Sequence, residues 1–164
     1  MIKKMDAVLI FQYLIVGVIV ALGPFVGKLL YKIAPEELKE STTFLIVLKK
    51  LLFFSIVVAF FFTIDIIFLR ACLVVLLVYY VYDIYRHKIF DKNNYYLLYT
   101  ALGIFLGFVN MKYLFIPSSL AFLLGIPTAL LNNNRRISVF VKMFIVFFAF
   151  YLTAFLLSNY YFVI

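Results

Sequence analysis

Tryptophan is absent from this 164-residue chain, cysteine and histidine occur once each, and charged residues make up only 13% of it. Each scarcity removes a class of chemistry. A single cysteine, Cys72, rules out an intrachain disulfide framework and any cysteine-based metal spacing; set within an apolar run, it reads as a small buried hydrophobe. A single histidine, His87, excludes a zinc site built on several histidines and confines any Ser/His/Asp triad to that one residue. The sequence has no phosphate-cradling glycine loop and no cofactor fingerprint, so neither a cofactor nor a metal is expected. Polar residues are too few to cover a water-soluble domain: 68% of the chain is hydrophobic and its mean hydropathy is +1.16.

What remains is one apolar run after another. A membrane β-barrel would alternate polar and apolar residues along each strand, whereas residues 51–62 are continuously apolar. The fold class is therefore all-α, a polytopic membrane bundle forming a single domain over 1–164. At about 20 residues per crossing the length fits roughly six helices. They are placed at 7–30, 44–63, 66–82, 95–109, 113–131 and 137–157. The first is read as a retained helix and not a cleaved signal, because its apolar stretch is too long and Gly23-Pro24-Phe25-Val26-Gly27 replaces a cleavage site. Pro24 is expected to break that helix, and Pro117 and Pro127 to kink the fifth. Pro35 followed by Glu36 and Glu37 has the form of a helix start, which predicts a short interfacial helix over 35–40.

The net charge of +8 does not point to nucleic acid, because its 15 Lys and Arg are spread singly or in pairs between apolar spans, where they orient helices and meet anionic headgroups. The expected partner is the lipid bilayer of the cell membrane, crossed several times. Placing the 32–43 connection on the cytoplasmic side puts Lys28, Lys32, Lys39, Lys49, Lys50, Arg86, Lys88, Lys92, Arg135, Arg136 and Lys142 there, against Lys3, Lys4, Arg70 and Lys112 opposite. Both termini then face outside, although Lys3 and Lys4 argue locally for the reverse. Lys49 and Lys50 are expected to snorkel to the near interface. Gly103 and Gly107 form a GxxxG that lets two backbones approach closely. Tyr79, Tyr80, Tyr82, Tyr85, Tyr95, Tyr96 and Tyr99 read as an aromatic belt. Three spans before Asp83 and three after it invite an inverted repeat, but no convincing self-similarity supports one.

Seven acids are present, and two of them, Asp65 and Asp83, sit at or near membrane depth, where an ionisable group is a functional candidate by default. Asp65 lies five residues from Arg70 and is expected to form a structural ion pair. Asp83 ends the third span ahead of Tyr85-Arg86-His87-Lys88-Ile89-Phe90-Asp91. Paired with Arg86 it could equally be an interfacial helix cap.

The segment Tyr82-Asp83-Ile84-Tyr85-Arg86-His87-Lys88-Ile89 resembles the first catalytic motif of the type IV prepilin peptidases, including the archaeal preflagellin peptidases. There a helix ends in Asp, two basic positions follow, then Ile and commonly Pro-Asn; here Phe90-Asp91 stands in place of Pro-Asn. The resemblance covers 78–107 and extends more loosely to the last span. It implies a membrane aspartyl endopeptidase that cuts leader peptides from pilin-like and flagellin-like precursors at the cytoplasmic face. Asp83 would be one catalytic carboxylate of an acid and base pair. The family's second motif, Gly-x-Gly-Asp with Lys shortly after, is missing. Val139-Phe140-Val141-Lys142 falls in its place, which puts Phe140 where the second aspartate belongs. One carboxylate cannot serve as both general acid and general base of the dyad, and the spacing places none of Glu36, Glu37 and Asp91 beside Asp83. The expectation is a diverged, inactive relative that meets a pilin-like precursor or other membrane subunits; the alternative is a noncatalytic membrane subunit or small transporter.

Overall fold

The computed structural model describes residues 7–86, 95–131 and 137–161. Among them are seven α-helices and no strand: α1 (Ala7–Ile33), α2 (Pro35–Glu40), α3 (Thr42–Thr63), α4 (Ile67–Arg86), α5 (Tyr95–Gly107), α6 (Phe115–Leu130) and α7 (Ile137–Tyr161), with a 3-10 turn at Met111–Tyr113 before α6. α1, α3 and α7 are each long and apolar enough to cross a membrane, and α4, α5 and α6 contain the shorter apolar helices Ile67–Val78, Leu98–Gly107 and Phe115–Leu130. The architecture is a helical membrane bundle.

Glycine decides which helices meet closely. α1 runs parallel to α6, with Gly27 against Ile126 and Ala129, and Gly23 against Phe122 and Gly125. A Cβ on Gly27 would lie 2.5 Å from the Ile126 carbonyl oxygen, and one on Gly125 would lie 2.7 Å from the Pro24 ring. α5 runs parallel to α7 in the same manner: a Cβ on Gly103 would lie 2.6 Å from the Phe147 carbonyl oxygen, and one on Gly107 the same distance from the Ala154 methyl. The close approach read from Gly103 and Gly107 is therefore real, and its partner is α7. Lipid tails are as apolar as leucine, so helices in a bilayer are held by such packing and not by hydrophobic exclusion.

α1 packs along α6 and runs antiparallel to α7, pairing Tyr13 with Phe155 and Phe25 with Phe144. α3 packs on α6 and turns through 64–66 into α4, which packs on α3. Phe60 of α3 meets Phe105 of α5 at 5.5 Å, so the C-terminal halves of those helices share one end. The two glycine-lined crossings join the first span to the fifth and the fourth to the sixth, a pairing that an inverted three-plus-three repeat would not produce.

Two expectations about proline are corrected. α1 continues unbroken through Pro24, whose missing N–H removes only the bond to the Val20 carbonyl, while its ring packs at the glycine crossing. Pro117 is the third residue of α6, where the amide would lack a helical partner anyway, so Pro127 alone is interior.

α5, with 13 residues, is about 20 Å long and too short to cross a bilayer. It ends beside the interior of α1 and α7, and the connection that follows is partly sealed inside the protein: Val109 and Leu114 are buried. Backbone outside a helix is tolerated at membrane depth only where its polar groups find partners. Here α1 and α7 supply them. The Tyr13 hydroxyl donates to the Val109 carbonyl at 2.6 Å, and the Ser158 hydroxyl donates to the Gly107 carbonyl at 3.1 Å. The Tyr151 hydroxyl donates to the Tyr13 carbonyl at 2.9 Å, closing the set. Tyr13→Phe is expected to lower stability by about 1 kcal/mol, since it orphans a buried carbonyl while leaving the ring packing intact. Thermal unfolding in detergent checks this.

Candidate functional site

Alternating helix directions gather one end of the bundle from the C-terminal ends of α1, α4 and α6 and the N-terminal ends of α3, α5 and α7. Asp83 lies here, in the last turn of α4. Its side chain, like those of the other residues over 79–97, lies outside the described part of the structure, as do His87, Asp91 and the rest of the motif beyond Arg86.

The first turn of α7 brings Phe140 to the same end. It is 3% exposed, part of the main apolar core, and the Lys28 ammonium of α1 stands 5.9 Å from its ring centroid. At the position that the resemblance would assign to a second aspartate, the structure has a buried phenyl ring beside a cation. Val141 and Lys142, which follow it, face outward. Glu36 and Glu37 are exposed on α2, the predicted short helix, which packs on α1 and α3.

The charged groups described at depth on this end are cationic. Lys28, Lys50 and Lys142 lie within about two turns of a helix terminus, close enough for long side chains to reach headgroup phosphates. Lys49 departs from the expected snorkelling: it is 9% exposed and continues the buried stripe of α3 that includes Leu45, Ile56 and Phe60. Tyr99 departs as well. It is not part of an aromatic belt but is 2% exposed inside the bundle, edge-on to Phe147, and its hydroxyl has no hydrogen-bond partner among the described residues.

At the opposite end, Asp65 and Arg70 form the ion pair read from their spacing, 3.7 Å apart, and the Arg70 Nε also donates to the Ile64 carbonyl at 2.6 Å. No group of three or more His, Cys, Asp and Glu side chains that could hold a metal occurs among the described residues. Sequence reasoning missed Tyr13, Tyr151 and Ser158, since isolated hydroxyls in apolar runs carry no pattern of their own. Comparison with protein-family models, with curated proteins and with solved structures finds no match.

Proposed function

We propose that the chain is a multi-pass protein of the cell membrane, a diverged relative of the prepilin peptidases that has lost peptidase activity and acts as a noncatalytic membrane subunit. The observation that carries this reading is Phe140. An aspartyl peptidase needs two carboxylates sharing a water, one to take its proton and one to give a proton to the leaving group. The place of the second is a core phenyl ring at 3% exposure with Lys28 above it. An apolar ring can neither accept nor donate a proton. Glu36 and Glu37 of α2 are exposed, and the deep charges at that end among the described side chains are ammonium groups, which cannot serve as the second carboxylate.

The test is cleavage of a panel of pilin-like and flagellin-like precursors by the purified protein in liposomes, with Asp83→Asn alongside. Neither protein is expected to process any precursor, and the two are expected to unfold at closely similar temperatures. Processing by the native chain that vanishes in Asp83→Asn would overturn the reading.

A further inference from the structure

α4 packs on α3, and Val74, Val75 and Val78 of α4 are exposed. Between these two helices runs a half-open groove of about 280 Å³, walled by Val58, Phe61 and Phe62 of α3 and by Val74, Leu77 and Val78 of α4. Every wall is hydrocarbon. Apolar cavities of roughly 150 Å³ stay dry and accept benzene, so a groove nearly twice that size accommodates a length of hydrocarbon chain.

The groove has a polar end. On α4, one helical turn back from Val74 along the same stripe is Arg70; on α3, the stripe through Phe61 and Phe62 leads into the turn that carries Asp65. The two charged groups are 3.7 Å apart with their side chains 39% and 66% exposed, so each keeps hydrogen-bonding capacity directed outward. A dry slot thus leads to a cation and an anion side by side at the membrane surface.

We infer that the groove and this ion pair together hold one phospholipid with a primary ammonium headgroup, of the phosphatidylethanolamine type. One acyl chain lies in the groove, the phosphate sits against Arg70 and the ammonium against Asp65. A headgroup with only negative charge meets repulsion from the Asp65 carboxylate, and a quaternary ammonium has no N–H to donate to it. The inference rests on the membrane location of the chain and is independent of the loss of peptidase activity.

Because the chain contains no tryptophan, a single introduced indole reports one place only. Phe61→Trp puts it in the groove; Phe11→Trp puts it on a 63% exposed position of α1. Both variants are reconstituted into phosphatidylcholine vesicles containing increasing fractions of brominated phosphatidylethanolamine, phosphatidylglycerol or phosphatidylcholine. The groove reporter is expected to be quenched by brominated phosphatidylethanolamine at a several-fold lower fraction than by the other two, and the α1 reporter equally by all three. Adding Arg70→Gln or, separately, Asp65→Asn removes the preference; the second variant leaves the Arg70 bond to Ile64 in place, so the test survives any disturbance of the turn by the first. The inference is overturned if the groove reporter behaves like the α1 reporter, if phosphatidylglycerol quenches it first, or if no lipid quenches it because a second copy or another helix covers the groove.

Discussion

Gly23→Ala is expected to cost about 3 kcal/mol, a drop in Tm on the order of 10 °C, although it adds a single methyl group. The methyl carbon would be driven into the Phe122 carbonyl oxygen, with the Cα of Gly125 only 3.3 Å away, and both obstacles are backbone of a helix that cannot move without giving up the crossing. Gly17→Ala on the same helix is expected to cost a comparable amount, because its Cβ meets at 2.6 Å the ring of Tyr151, which is fully buried and hydrogen-bonded to the Tyr13 carbonyl. Leu22→Ala, at a 44% exposed position between the two, sets the baseline with a change well under about 1 kcal/mol, since a lipid-facing leucine exchanges one hydrocarbon environment for another. Thermal unfolding of the three variants in one detergent orders them. Equal stability of Gly23→Ala and the native chain would mean that the α1 and α6 backbones are not in contact.

That ordering reflects what drives assembly in this molecule. Water cannot push apolar helices together inside a bilayer, so association depends on how near the backbones come and on the few hydroxyls that satisfy carbonyls between them. Both devices converge on α1, where the Gly23 and Gly27 face lies on α6 and Tyr13 reaches the carbonyl beyond α5.

The helices were legible in the sequence because continuous apolar runs broken by Pro35-Glu36-Glu37 or by Asp65 leave few alternatives. Their ends were less so: α5 stops at Gly107, two residues before the expected 109, where the Gly107 and Val109 carbonyls are held by Ser158 and Tyr13, residues 51 and 96 positions away in sequence. The pairing of helices was not legible at all. Gly103 and Gly107 announced a close approach without naming α7, and Gly23-Pro24 read as a break although it is the tightest crossing, because its counterpart Gly125 lies on another helix about 100 residues on. At the candidate site, the resemblance drew attention to Phe140; its burial beside Lys28 depends on α1 and α7 running antiparallel, which no local pattern encodes.

Phe140→Asp, which puts a carboxylate where the resemblance would have a second aspartate, is expected to destabilise the protein by more than about 5 kcal/mol and to produce no peptidase. Removing a core phenyl alone costs about 3–5 kcal/mol. A carboxylate left in the space adds a desolvation cost of several kcal/mol, which the Lys28 ammonium, 5.9 Å from the present ring centroid, offsets only in part. Phe140→Leu should lose no more than about 1.5 kcal/mol, which separates the effect of charge from that of volume. Lys28→Met combined with Phe140→Asp reads the offset directly: if the two groups pair, the double variant is less stable than the separate losses add up to. The measurements are thermal unfolding in detergent together with precursor cleavage in liposomes. A Phe140→Asp protein as stable as the native chain, and able to cut a precursor only while Asp83 is present, would show that the bundle still holds the geometry of a working dyad, and the noncatalytic reading would fall.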